Sequence, residues 1–118
     1  MTLLINILIG IIALLHFYFL ILEMFFWDKP KGLKVFGHTQ ESATASKTLA
    51  MNQGLYNGFL SAGLIWGLYL GVTGTSIKIF FLACVLIAGI FGGLTANRKI
   101  LIIQAMPAAI TLVLVMLA

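Results

Sequence analysis

Apolar residues fill almost the whole chain in four blocks that are separated by short polar connections. The four predicted helices cover about residues 3–27, 40–72, 77–96 and 100–117. Each contains an apolar stretch of about the 20 residues that an α-helix needs to cross the hydrocarbon core of a bilayer. The pattern therefore predicts an all-α membrane protein with four transmembrane helices.

The connections predict how these helices are arranged. Residues 72–76 and 97–99 are too few for anything but antiparallel neighbours, which indicates an up-down-up-down bundle. The first connection is longer, and its Asp-Lys-Pro-Lys-Gly opening breaks the first helix. Thr39 is a plausible N-cap for a helix that begins near Gln40. Such a helix spans about 45 Å at 1.5 Å per residue, so its first turns are expected to project into the cytoplasm.

Composition supports the membrane interpretation. Of the 118 residues, 62% are hydrophobic and 8% are charged, and the mean hydropathy is +1.15. A soluble domain of this length could not cover so much apolar surface. We therefore expect a single integral membrane domain over residues 1–118, with membrane lipids as its first partners and any function in or beside the bilayer. The lone Cys84 has no partner for a disulfide.

The charges predict an orientation. Six of the seven basic residues lie in the connections 28–48 and 97–99, and Lys78 alone lies on the other side. By the positive-inside rule, these two connections are cytoplasmic and both termini face outward. The bases do not form a face interleaved with aromatic residues, so no nucleic-acid partner is expected. His38 belongs to the first polar connection and is expected to be solvated.

Small residues are predicted to set the helix packing. Gly54, Gly58, Gly63, Gly67 and Gly71 recur four or five residues apart, a spacing that lets backbones approach closely in lipid. We favour packing within the chain over a dedicated dimer face for this stripe. A homodimer is nevertheless expected, because four short helices bury little surface alone.

Glu23 is the only acidic residue inside the apolar, membrane-spanning stretches of the predicted helices. His16 lies seven residues earlier, on the same helix face and about 10 Å away. Phe19 and Trp27 border the same stripe. An ionisable residue in a span costs several kcal/mol unless it is paired, neutralised or hydrated, so the stripe is a candidate functional site.

Other polar side chains are predicted at the same depth. Three amides stand at the cytoplasmic end of the second helix's apolar stretch, and the fourth helix has one about a turn from its start. In chain order they are Asn52, Gln53, Asn57 and Gln104. Tyr56 adds an aromatic wall beside Phe19 and Trp27, and Pro107 kinks the fourth helix. Together these residues predict a polar pocket that opens to the cytoplasm, with His16 at its floor.

Simpler interpretations stay open. Amides near helix ends can be interhelical fasteners worth about 0.6 to 2 kcal/mol each. Glu23 could snorkel to the interface or pair with Lys29 or Lys31. A metal would find only His16 and Glu23 at depth, so neither a metal nor another cofactor is predicted. No Ser-His-Asp set, P-loop or GxGxxG motif is present.

Three hypotheses about function follow. In the first, the pocket binds or transports a small polar or amphipathic molecule, with proton coupling through Glu23 and His16. In the second, the same two residues form an acid and base pair of an isomerase-like membrane enzyme acting on a lipid or isoprenoid substrate. In the third, the chain is a structural or partner-binding helix bundle. Whether the protein is an enzyme is left open.

Three segments also resemble a known family. HFYFLILEMFFW at 16–27, NQGLYNGFLSAGL at 52–64 and QAMPA at 104–108 are similar to the signatures of a bacterial four-helix membrane family, catalogued as domain of unknown function 1304. The resemblance covers essentially the whole chain. The family pattern falls here on His16, Glu23, Trp27, Asn52, Gln53, Tyr56, Asn57, Gln104 and Pro107. It implies a four-helix protein of the bacterial cytoplasmic membrane and carries no established chemistry.

Overall fold

The chain is helical almost throughout and contains no strand. A computed structural model describes all residues, Met1–Ala118. The helices are α1 Thr2–Phe25, α2 Pro30–Phe36, α3 Gln40–Leu70, α4 Thr75–Thr95 and α5 Met106–Leu117. A 3-10 turn, Gly71–Gly74, joins α3 to α4, and a π-helical segment, Leu101–Ala105, leads into α5. The predicted all-α class with four long helices is confirmed, the fourth being Leu101–Leu117.

Helix α2 was not predicted from the sequence, and it lies inside the long first connection. Pro30 occupies its first turn, where a missing N–H costs nothing. Gly37 ends it in the left-handed conformation, with φ of 67°, and donates its N–H to the Leu33 carbonyl at 2.9 Å. The sequence contains both the helix-starting proline and the helix-ending glycine, seven residues apart.

A capping threonine and a left-handed glycine set the two ends of helix α3. Thr39 Oγ1 accepts a hydrogen bond from the backbone N–H of Ser42 at 3.1 Å, which confirms the predicted N-cap. The 31 residues of α3 correspond to about 46 Å of helix. The helix ends at Leu70, directly before Gly71, whose φ of 64° is strained for any residue with a side chain.

Packing divides the chain into two compact units, which are described separately. The first unit comprises Met1–Leu14 and Leu60–Ala118. Its core is apolar and includes Ile5, Ile9, Leu64, Leu82, Val85 and Ala108. Ser61 on α3 donates its hydroxyl to the Ala13 carbonyl of α1 at 2.8 Å. This bond joins two helices that are far apart in sequence.

Glycines of the first unit bring its helices together. Gly63 and Gly67 on α3 face Phe81 and Lys78 of α4, and on α4 Gly89 and Gly93 face Ala105 and Leu101. At Gly89 a Cβ would lie 2.8 Å from the Ala105 backbone nitrogen, so the backbones touch. Both sets of contacts run antiparallel. The predicted role of these α3 glycines in packing within the chain is confirmed.

The second unit, Leu15–Phe59, contains the end of α1, all of α2 and the beginning of α3. The two long helices run antiparallel, with Gly58 beside Leu20 and Gly54 beside Glu23. Helix α2 lies close to the end of α1, because a Cβ at Gly32 would overlap the carbonyl oxygen of Phe26. This unit holds Glu23 and most of the other predicted site residues.

Two helical stretches are long and apolar enough to cross a membrane. They are Thr2–Phe25, with a mean hydropathy of 2.5, and the 56 residues Gln40–Thr95, with 2.4. Leu101–Leu117 is apolar but shorter. Large apolar side chains are exposed on every long helix, among them Leu3 at 73% and Phe91 at 70%. Length and composition therefore indicate association with a membrane.

Candidate functional site

The centre of the candidate site is a carboxyl–amide pair between α1 and α3. Glu23 is 8% exposed and Asn57 is 7% exposed. The Nδ2 group of Asn57 donates a hydrogen bond to Glu23 Oε1 at 2.5 Å. Sequence analysis placed both residues in the predicted pocket, and the fold brings them into direct contact across 34 positions of the chain.

A glycine makes this contact sterically feasible. Gly54 lies one turn before Asn57, and a Cβ there would be 2.7 Å from Met24 Cγ and 3.0 Å from Glu23 Cβ. The absence of a side chain lets α1 and α3 approach closely enough for the Asn57 amide to reach the carboxyl group. The glycine and the amide of the NQGLYNG segment therefore act together.

No basic side chain neutralises Glu23. The one ion pair in the chain joins Lys47 Nζ to Asp28 Oδ2 at 3.2 Å. The alternative in which Glu23 pairs with Lys29 or Lys31 is therefore wrong. Snorkelling of Glu23 to a wet surface is equally excluded by the burial of its side chain. The carboxyl group is buried and has one amide donor as its polar partner.

His16 is completely buried on α1, two turns before Glu23. Its ring packs edge-on against Phe19, with centroids 5.6 Å apart and an angle of 74° between the planes. The sequence predicted both residues on one stripe with Glu23. The hydrogen-bond partner of Glu23, however, comes from α3 and is Asn57.

The neighbouring predicted site residues on α3, Asn52, Gln53 and Tyr56, make no hydrogen bond to Glu23. Asn52 and Gln53 are exposed, and neither side chain makes a hydrogen bond. Asn52 is five residues from Asn57, which turns it about 140° around the helix axis. Tyr56 is 55% exposed and contacts Phe59 at 6.2 Å between ring centroids. Of these four residues of α3, Asn57 alone bonds Glu23.

Trp27, predicted as a wall of the pocket, packs in an aromatic and polar cluster with Phe36, His38 and Ser46. Its Nε1 donates to Ser46 Oγ at 3.1 Å, and its ring meets that of Phe36 at 4.7 Å. The His38 ring lies edge-on at 4.3 Å, and His38 Nε2 donates to the Trp27 carbonyl at 3.1 Å. His38 is half-buried, so the expectation that it is solvated is wrong. His38 packs here instead of in water because Trp27 provides both a ring for aromatic contact and a carbonyl for a hydrogen bond.

Two further bonds hold the connection around this cluster. Gln40 Nε2 donates to the Asp28 carbonyl at 3.1 Å, and Lys47 binds the Asp28 side chain. The hydrogen bond from Lys47 holds the pKa of Asp28 below its usual range. The first connection is therefore tied to both the end of α1 and the beginning of α3.

Gln104 and Pro107 belong to the first unit, whereas the carboxyl–amide pair belongs to the second. Gln104 Nε2 donates to the Val85 carbonyl of α4 at 3.1 Å, so this amide fastens two helices. The local irregularity is the π-helical segment Leu101–Ala105, which ends directly before the turn that contains Pro107. Thr111 Oγ1 donates to the Pro107 carbonyl at 2.8 Å.

Sequence analysis missed two buried polar groups in the first unit. Asn6 Oδ1 is buried without a hydrogen-bond partner. Lys78, taken only as a topology signal, is 7% exposed, and its Nζ donates to the Gly71 carbonyl at 3.3 Å. The available signal was a base seven residues after Gly71, just beyond the end of α3, since a base can bind carbonyls at the end of a helix. No group of three or more His, Cys, Asp and Glu side chains could hold a metal ion.

The fold and the site define a class: a small all-α protein in which two apolar helices share a buried carboxyl–amide pair. Within that class, the chain belongs to the family described as Protein of unknown function (DUF1304), which matches residues 10–116. The family resemblance read from the sequence is thereby confirmed. Uncharacterized protein YpaA of Lactococcus lactis subsp. lactis (strain IL1403) is 33% identical over 115 residues, which are 96% of this chain and 97% of that protein. No solved structure matches the chain.

Proposed function

We propose that the chain is a four-span protein of the cytoplasmic membrane, with both termini outside and residues 28–48 and 97–99 in the cytoplasm. The distribution of basic residues supports this orientation. The turn at Gly71 and the antiparallel contact of Gly67 with Lys78 support two crossings by the stretch Gln40–Thr95. Exposed apolar side chains along each long helix are suited to contact with lipid.

We further propose that the protein binds or transports a small polar or amphipathic molecule with a cationic group, which exchanges with a proton on Glu23. The observation that carries this proposal is the buried carboxyl group with an amide donor and no basic partner. An unbalanced charge in such surroundings costs several kcal/mol. A proton or a cationic ligand removes that cost, and exchange between the two couples binding to proton movement.

Three residues near Glu23 have distinct roles in this proposal. Asn57 holds Oε1 of Glu23, so the other carboxyl oxygen is the one left for a proton or an ammonium group. Gly54 keeps α3 close enough for Asn57 to hold that orientation. His16, deeper on the same helix face, is the second titratable group of the stripe and tunes or relays the proton.

The test uses purified full-length protein in liposomes and two probes. Dicyclohexylcarbodiimide reacts with protonated carboxyl groups in apolar surroundings, and its adduct on Glu23 is measured by mass spectrometry. Tetraphenylphosphonium is the cationic probe, and its uptake is followed under an imposed pH gradient. We expect tetraphenylphosphonium to protect Glu23 from the reagent and to be taken up by the wild type. Glu23→Gln should reduce uptake to the level of empty liposomes.

Glu41→Gln is the matched control, because Glu41 is an exposed carboxylate whose loss should leave uptake unchanged. Glu23→Gln keeps the shape of the side chain and an oxygen for Asn57, so its thermal stability should stay close to that of the wild type. Equal labelling of Glu23 with and without tetraphenylphosphonium, together with equal uptake by wild type and Glu23→Gln, would overturn the proposal. A loss of stability without a change in uptake would favour a structural role.

A further inference from the structure

The region around α2 carries an exposed basic surface that the candidate site does not use. Lys29 precedes α2, and Lys31 and Lys34 lie three residues apart on it, which places them on neighbouring positions of one face. All three are exposed, and none is paired with a carboxylate. Together we call Lys29, Lys31 and Lys34 the lysine triplet.

This surface is held in place rather than carried on a loose loop. Gly32 packs against the backbone carbonyls of Phe26 and Trp27, which directly follow α1, and a Cβ there would collide with the Phe26 oxygen. The Trp27 cluster joins the same connection to α3 through the hydrogen bond to Ser46. Lys31 Nζ also lies 5.8 Å from the centroid of the Tyr18 ring of α1. The lysine triplet therefore keeps a defined position at the end of an apolar helix.

Exposed apolar side chains stand directly beside the lysines. Phe25 is 62% exposed, Phe26 is 41% exposed, and Val35 on α2 is 48% exposed. Aromatic and basic residues at the end of an apolar helix are typical of the boundary between hydrocarbon and headgroups. The surface thus offers positive charge and apolar area side by side.

We infer that the lysine triplet, with Phe25, Phe26 and Val35, binds the headgroups and upper acyl chains of anionic phospholipids in the cytoplasmic leaflet. Phosphate groups match the three unpaired ammonium groups. Acyl chains cover the neighbouring apolar side chains, which an inorganic phosphate ion would leave in water. The inference rests on the proposed membrane placement but not on exchange at Glu23.

Charge sets the expected size of the effect. A lysine near an anionic leaflet contributes roughly a fivefold preference, so three give a preference well above that of any single residue. The attraction falls within a Debye length, which is about 8 Å at physiological ionic strength, so added salt must weaken it. A preference due to acyl-chain contact alone would not respond to salt.

The test uses the full chain in bilayers with Trp27 as the reporter. Trp66→Phe leaves Trp27 as the only tryptophan of the two. Quenching of Trp27 is compared in bilayers that contain phosphatidylglycerol or phosphatidylcholine brominated on the upper acyl chains. We expect stronger quenching by brominated phosphatidylglycerol at equal mole fraction, and a decrease of that difference with added salt. Lys29→Gln, Lys31→Gln and Lys34→Gln together should abolish the difference.

The control variant removes Arg98 and Lys99, which lie in the other basic connection, by substitution to Gln. It should leave the Trp27 preference unchanged. Unfolding temperatures of both variants are measured alongside, and the single variants replace the triple one if that does not fold. Equal quenching by the two lipids in the wild type, or a preference that survives loss of the triplet, would overturn the inference. Because Glu23 is untouched, that result leaves the exchange proposal standing.

Discussion

At the scale of single residues, the environment of Glu23 depends on Asn57. The amide is the one polar side chain that bonds the carboxyl group, and both residues are buried. Removal of a hydrogen-bond partner from a buried polar group costs the desolvation of the group left behind. Asn52, five residues earlier, is exposed and bonds nothing. The two asparagines therefore form a natural comparison.

Asn57→Ala should lower the free energy of unfolding by about 1–3 kcal/mol, because Glu23 loses its donor. Asn52→Ala should stay within about 0.5 kcal/mol of the wild type, as exposed substitutions usually do. Both are measured by denaturant titration of purified protein in the same detergent, followed by circular dichroism. Equal effects of the two substitutions would contradict the central role given to Asn57.

At the scale of elements, α2 is the piece whose position depends most on one residue. Gly32 fits against the Phe26 and Trp27 carbonyls, which directly follow α1, only because it has no side chain. The same seven-residue helix carries Lys31 and Lys34 and ends at Phe36, which packs on Trp27. Displacement of α2 should therefore disturb the Trp27 cluster as well.

Gly32→Ala should loosen α2 from α1 and cost about 1–3 kcal/mol, the usual range for overpacking a close contact. Trp27 fluorescence in the Trp66→Phe background and tryptic cleavage after Lys31 provide the measurements. Faster cleavage and a red-shifted emission are expected. Gly10→Ala is the control, since a Cβ at Gly10 meets nothing within 4 Å and alanine favours helix. An unchanged Gly32→Ala protein would show that α2 is not held by this contact.

At the scale of the whole molecule, the proposed arrangement assigns opposite sides of the membrane to the turns 71–74 and 97–99. The first begins with the left-handed Gly71, and the second carries Arg98 and Lys99. A homodimer stays a prediction. The exposed side chains of Tyr56 and Phe59 form an aromatic surface that a second copy could cover. The sidedness of the turns can be tested directly.

Single cysteines report this sidedness. In a Cys84→Ala background, which removes the only native cysteine, Thr73→Cys and Asn97→Cys each place a thiol at an exposed turn position. A membrane-impermeant maleimide should label Thr73→Cys in intact bacterial cells. It should label Asn97→Cys only after the membrane is permeabilised. The reverse pattern would invert the proposed orientation, and labelling of both in intact cells would rule out four crossings.

Local chemistry was sufficient to predict the helices. Apolar runs, the Thr39 cap and the short polar connections determine where α1, α3, α4 and α5 lie, because a helix satisfies its backbone groups within its own segment. The signals for α2, Pro30 and Gly37, were equally local and were overlooked. The family resemblance was also legible in contiguous segments of the sequence.

Only the tertiary structure decided which polar groups meet. The sequence placed Asn52, Gln53 and Asn57 together at one end of a predicted membrane span, and the rotation of α3 against α1 selected Asn57 as the partner of Glu23. Likewise, tertiary packing set the ring of Trp27 against that of His38 and brought the Gln104 amide to the Val85 carbonyl. Such pairs depend on helix rotation and on backbone approach at glycines such as Gly54, and neither is encoded in the spacing along one helix.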